Sequence, residues 1–150
     1  MTKYKYYIGI DCGVRTGLCV WDNSGKKIIT IDTYMIHEAM KYVEKVCITF
    51  PGDEIMIRVE DARLRKWIPR QENEKSERGR REGAGSVKRD AKIWEDFLTD
   101  LKKVYGINFE MVAPKNNKTK ITPTYLTIVC GYKGITSVHA RDAAMLVIGF

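Results

Sequence analysis

The chain has 150 residues, the length of one domain, and 44% of them are hydrophobic, enough for an ordinary core without disulfide or metal staples. No apolar run approaches the roughly 18 residues of a membrane-spanning helix, and the opening MTKYKYYIGID has too short an apolar part for a secretory leader. Lys and Arg exceed Asp and Glu to give a net charge of +7, which points to a polyanionic partner; Cys12, Cys19, Cys47 and Cys130 lack the CxxC spacing of a zinc site and read as free thiols of a reducing cytoplasm.

Residues 4–11 read as a strand whose apolar run ends in Asp11, with Gly13 and Gly17 bracketing a turn. Residues 18–21 form a second strand, DNSG at 22–25 a hairpin turn, and residues 27–34 a third strand, completing an antiparallel meander. HEAMKYVEKV at 37–46 places apolar side chains at 39, 40, 43 and 46, which is helical spacing. PGD at 51–53 turns the chain into a strand over 54–60, EIMIRVE, which again closes on an acid. The polar stretch 63–85, rich in Arg, Lys, Glu and Gly, is expected to be a mobile basic loop. A long helix over 86–105 follows, with Ser86 as N-cap, Ile93, Phe97, Leu101 and Val104 as its apolar stripe, and Gly106 as its stop. Residues 109–113 make another strand, Thr122-Pro123 opens a short helix to Cys130, and an apolar helix spans 137–150. The order β-β-β-α-β-α-β-α-α implies an α/β fold, a mixed sheet with helices on its faces in a single domain over 1–150.

The charge is unevenly placed. Residues 58–92 hold twelve Lys and Arg against seven Asp and Glu, so five of the seven net positive charges sit there. Such a run fits phosphate contacts, through Arg63, Arg65, Lys66, Arg78, Arg80, Arg81, Lys88 and Arg89 with Trp67 among them; it equally fits a solvated charged loop. The acids are more telling. Asp11 suits either a solvated turn cap or one arm of a metal site. A strand–helix–strand connection places its two strands parallel and often adjacent, so pairing of the first and fourth strands would set Asp11 and Glu60 side by side. Two carboxylates at that spacing repel, and a divalent cation between them resolves the conflict. Asp142 lies three residues after His139, so both project from one face of the last helix. Helix-dipole complementation is the plain alternative for Asp142, and a surface or capping role for His139. The small, apolar run after Asp142 lets this helix pack closely on the sheet and deliver it to the Asp11–Glu60 edge.

The D-x-G-x-x-x-G-like opening (Asp11, Gly13, then Thr16-Gly17), the acid closing a later strand in IRVED, and HARDAAML in the last helix resemble the RuvC family of Holliday junction resolvases, within the ribonuclease H-like superfamily. The likeness runs in order along nearly the whole chain and suggests a divergent, phage- or mobile-element-like member. It implies a five-stranded ribonuclease H-like sheet, and Asp11, Glu60, His139 and Asp142 as catalytic metal ligands for two Mg2+, with Mn2+ as a substitute. It implies a homodimer that resolves four-way DNA junctions by phosphodiester hydrolysis. GSVKR at 85–89 is similar to the segment that opens the family's central helix near DNA, and Lys118 and Lys120 fall where its members carry basic residues. Cys12 stands where the family has proline, and Ala62-Arg63 where it has an aromatic residue. Trp67 is the nearest substitute, and also suits a loop anchor. The rivals are another ribonuclease H-like nuclease acting on branched DNA or RNA–DNA hybrid, a catalytically silent nucleic-acid-binding module, and an actin-like ATP-binding domain sharing IGIDCG, which needs a second such domain.

Overall fold

Tyr6–Asp11 (β1) buries five residues in a row, the pattern of a strand covered on both faces and paired on both edges. The structure, a computed structural model, describes residues 3–65, 74–115 and 121–150, and of 74–82 and Ala84 the backbone alone. On one edge β1 pairs antiparallel with Arg15–Asp22 (β2), which pairs antiparallel with Lys27–Met35 (β3). The β2–β3 turn forms because Asp22 Oδ1 accepts from the amides of Ser24 and Gly25, both at 3.0 Å. On its other edge β1 pairs parallel with Ile55–Glu60 (β4), and β4 with Asn108–Val112 (β5), for the order β3-β2-β1-β4-β5. Helix Ile36–Thr49 (α1) makes the crossover from β3 to β4, and Glu74–Tyr105 (α2) that from β4 to β5. Pro123–Cys130 (α3) and Val138–Met145 (α4) complete the chain.

Period-2 alternation divides the sheet's two faces. Ile8, Ile10, Leu18, Val20, Ile57 and Val59 form one core with α1 and α2; Tyr7, Cys19 and Trp21 form the other with Ala140, Ala143 and Ala144 of α4 and Leu126 of α3. The second core is built on contact between backbones. A Cβ on Gly9 would lie 2.1 Å from the Ala143 carbonyl oxygen, and one on Gly17 would lie 2.0 Å from that of His139. Only glycine at both positions lets α4 rest its backbone on β1 and β2. Ser137 caps α4 by accepting from the Ala140 amide at 3.0 Å, and its hydroxyl also meets that of Thr33 on β3. Buried Arg141 secures the approach to the helix: Nε donates to the Ile121 carbonyl and Nη1 to that of Thr136, each at 2.6 Å.

The long helix departs from the sequence reading in two ways. It begins at Glu74 instead of residue 86, so Ser86 lies inside it and the backbone of 74–85 is helical, not loop. Glu, Lys and Arg are good helix formers, and the spacings Glu74–Arg78, Glu77–Arg81 and Arg78–Glu82 are those of supporting pairs, which together outweigh three glycines. Its buried stripe is also rotated. Ala91, Trp94, Leu98 and Leu101 face the sheet, whereas Ile93 and Val104 are exposed, because the series through Trp94 buries the larger apolar surface. The last helix ends at Met145 rather than running to 150.

Beyond β4 the chain is fixed by an ion-pair clamp. Arg63 Nη2 donates to Asp61 Oδ2 at 2.6 Å and to Glu95 Oε2 on α2 at 3.2 Å, while the Asp61 amide donates to the Val112 carbonyl at 2.8 Å. Burial alone pushes the Asp61 carboxyl up; the bonds from the Arg63 side chain and amide, with its charge, outweigh this and hold it below the usual range.

Two outcomes follow for stability. Gly17→Ala forces the backbones of β2 and α4 apart and should cost about 2–3 kcal/mol, a drop in Tm on the order of 4–12 °C by calorimetry. Arg63→Ala strands a buried carboxylate and should cost roughly 2 kcal/mol, less than a fully buried pair because the Arg63 side chain is 29% exposed. Since the folded Asp61 carboxyl lies below its unfolded value, this contribution is present above the ordinary carboxyl range and fades as pH falls through the lowered one. The gap in Tm between Arg63→Ala and the parent should therefore be full at neutral pH and close in acid.

Candidate active site

Asp11 and Glu60 are register partners at the last residues of β1 and β4. Parallel strands run about 4.8 Å apart, and partners in register point to the same side. Ile10 and Val59, one residue earlier, enter the core under α1 and α2, so both carboxylates face α4. The side-by-side placement expected if the first and fourth strands pair is present, although the strands that α1 connects, β3 and β4, have β2 and β1 between them.

Helix α4 brings two more side chains to this edge. His139 Nδ1 lies 3.1 Å from Asp11 Oδ2, with the Asp11 side chain 14% exposed and the imidazole 53% exposed. With Nδ1–H donating to the carboxylate, Nε2 keeps its lone pair. Asp142, one turn on, lines a cavity of about 270 Å³ together with Glu60. The site thus consists of two pairs, Asp11 with His139 and Glu60 with Asp142, joined by the register of β1 and β4. Among the described residues no three His, Cys, Asp or Glu side chains close to the spacing of a single ion's shell. The donor chemistry still suits a hard divalent cation, for three of the four groups are carboxylates brought to one sheet edge. Behind them, burial first and then the charges of Asp11, Asp61, Asp90 and Glu60 push the Cys12 thiol up, so this end of the sheet is strongly acidic.

The expected DNA-contacting residues fare differently. Arg65, Lys88 and Arg89 are exposed, the last two on α2. Arg63 is committed to Asp61 and Glu95, an internal strut where a phosphate contact was expected. Arg78, Arg80 and Arg81 are described in backbone only, on α2, and Lys66, Trp67, Lys118 and Lys120 lie outside the described residues.

Two cations near the acids were not anticipated. Lys115 and Arg58 line the same cavity as Glu60 and Asp142. Arg58 Nε pairs with Glu110 Oε1 at 2.6 Å and its Nη1 donates to the Leu146 carbonyl at 2.5 Å, tying β4 to β5 and to the end of α4. Lys115 could have been found by extending the parallel rule one strand further, since the residues after β5 emerge at the same edge as Glu60.

No family model and no curated protein matches the sequence. Among solved structures the chain resembles T. thermophilus RuvC in complex with Holliday junction substrate, with a TM-score of 0.58 over 95% of this chain and 90% of that one, at 14% identity. At that identity the likeness is one of fold, and the five-stranded mixed sheet with helices on both faces is the ribonuclease H-like fold.

Proposed function

We propose that the chain is a RuvC-like nuclease that cuts branched DNA, four-way junctions foremost, by metal-dependent phosphodiester hydrolysis. The observation that supports this best is the register pairing of Asp11 with Glu60 at the edge where α4 delivers His139 and Asp142. The substrate class comes from the structural neighbour, whose complex contains a Holliday junction.

Asp11, Glu60, Asp142 and His139 would hold two Mg2+, with Mn2+ tolerated because one donor is an imidazole. Two such ions, when bound, lower the pKa of an attacking water and offset charge on the leaving oxygen. Of the chain's own groups, Asp11 fixes the His139 ring, leaving Nε2 as a proton acceptor or ligand at an exposed position. Lys115, at the rim with Glu60 and Asp142, attracts a phosphate that the carboxylates alone would repel. Exposed Arg65, Lys88 and Arg89 hold the DNA backbone, contacts that position without reading sequence.

A silent nucleic-acid-binding module is the second reading, favoured by the spacing of the acids, which close no three-ligand cluster among the described residues. A synthetic four-way junction in Mg2+ or Mn2+ decides between the two. Cleavage is expected, and Asp11→Asn, Glu60→Gln and Asp142→Asn should each lower its rate about a hundredfold or more while junction affinity in Ca2+ stays within about twofold. A junction bound but uncut in both metals supports the module, and full activity of Asp11→Asn removes the acids from the site.

Symmetrical resolution of a two-fold junction needs two sites, and this chain provides one, so the active species is proposed to be a homodimer. Light scattering should give twice the 17.3 kDa chain mass for the free protein, and that mass plus the DNA's when junction is bound. A monomer both free and bound would instead suit a nuclease acting on RNA–DNA hybrid.

A further inference from the structure

Glu60 is the last residue of β4, and the residue after it decides which side of the sheet it faces. Successive side chains of a strand alternate between faces. Val59 and Asp61 therefore share the side of α2, while Arg58 and Glu60 share the side of α4. The Asp61 amide prolongs the β4–β5 ladder by one bond, to the Val112 carbonyl at 2.8 Å. The Asp61 side chain, 2% exposed, is thereby committed to the α2 side as a carboxylate shut away from water. Such a group stays in place only while its oxygens are bonded. Among the described residues all four bonds to it come from Arg63. The Arg63 amide and Nε each donate to Oδ1 at 2.9 Å, while Nε at 3.1 Å and Nη2 at 2.6 Å donate to Oδ2. Nη2 also donates to Glu95 Oε2 of α2 at 3.2 Å, so the guanidinium is itself held from the helix.

Without the guanidinium, three of those four bonds are lost, and the cheapest relief for a buried carboxylate is to reach water. Asp61 can reach it only by turning outward. The backbone rotation that turns it carries its neighbour the opposite way, so Glu60 leaves the α4 face. We infer that Arg63 is a positioning residue for Glu60. Through Asp61 it holds the end of β4 in the one rotation that presents the Glu60 carboxylate to the cavity it shares with Asp142, beside its register partner Asp11. The inference rests on the nuclease reading above, in which Glu60 takes a divalent cation. Arg63 touches neither cation nor DNA in this role, since Nε and Nη2 are spent on Asp61 and Glu95. Metal sites are sensitive to such support: losing a partner that orients a ligand costs about 10–100-fold in metal affinity. The planar fork matters as well as the charge, because Nε and Nη2 together span both carboxylate oxygens.

The test is Mn2+ binding to the full chain, measured by calorimetry without DNA and well below the Tm of every variant. Arg63→Ala should raise the Kd for Mn2+ about tenfold or more. Lost stability alone does not produce that shift, and Leu101→Ala provides the comparison. Leu101 is buried about 9 Å along α2 beyond Glu95. Its truncation weakens the core and should leave the Kd within about twofold of the parent. Asp61→Asn removes the buried charge, and with it the reason for the strand end to turn. The double variant Asp61→Asn/Arg63→Ala should therefore bind Mn2+ within about threefold of the parent, a rescue that a packing role for Arg63 would not give. In junction cleavage, the Mg2+ needed for half-maximal rate should move in step with the Kd. If Arg63→Ala binds Mn2+ as the parent does, Arg63 is a strut alone and the inference is overturned. A double variant that binds no better than the single one overturns it too, and either result leaves the nuclease reading standing. A parent chain that binds no Mn2+ overturns both.

Discussion

The close approach of α4 to the sheet governs the arrangement of the whole site. Two carbonyl oxygens, of His139 and Ala143, occupy the space where side chains at positions 17 and 9 would be, so the helix has one seat and one rotation. That seat fixes which way His139 and Asp142 project. The first reaches Asp11; the second shares the Glu60 cavity. Three alanines under the helix keep the approach close, and the Arg141 bonds to the carbonyls of residues 121 and 136 hold the chain leading into it. A larger residue at any of these points would shift both pairs of functional groups together, because nothing between them can absorb the displacement.

Much of this arrangement was legible in the sequence because it rests on strong rules. Apolar runs that stop at Asp11 and Glu60 marked two strand ends, and the parallel direction of the β3-α1-β4 crossover put both at one end of the sheet, although that rule does not say that β4 pairs with β1 instead of β3. Thr122 declared the start of α3 through cap chemistry that depends on a few adjacent residues. The parts that were misread depend on competition. Residues 74–85 combine glycine and dense charge, which suggest a loop, with helix-forming Glu, Lys and Arg at supporting spacings, and the second tendency prevails once α2 has a core to continue from. Within α2 two apolar stripes were available, and only the sheet beneath decides that Trp94 is buried and Ile93 is not. Arg63 illustrates a further kind of ambiguity. A basic residue beside a basic run reads as a ligand contact until the fold brings Glu95 from α2 to complete its pairing with Asp61.

The balance of charge at the site has a physical logic of its own. Asp11, Glu60, Asp61 and Asp90 all bear on Cys12, so one end of the sheet concentrates negative charge in a chain of net charge +7. Arg63 neutralises one of these acids internally, and the Asp61 carboxyl it holds ionised stands beside Glu60 in sequence but belongs to the other core's side. Asp11 and Glu60 face α4 with Lys115 at their margin, while Asp90 belongs to α2 on the other face. A polyanion approaching such a surface would meet attraction from the surrounding basic residues and repulsion at the centre, and a cation held there as proposed would make the centre favourable for a phosphate.

The strand order also governs how the molecule comes together. β1, β2 and β3 are consecutive, joined by short turns, and pair locally, so this meander is complete early in synthesis. The free edge of β1, carrying Ile8 and Ile10, must then wait for α1 and the whole of β4 to leave the ribosome before it is covered. The same edge that finally aligns Asp11 with Glu60 thus stays open until β4 is made, and in the interval it is a place where a nascent chain can pair with a neighbour or be captured by a chaperone.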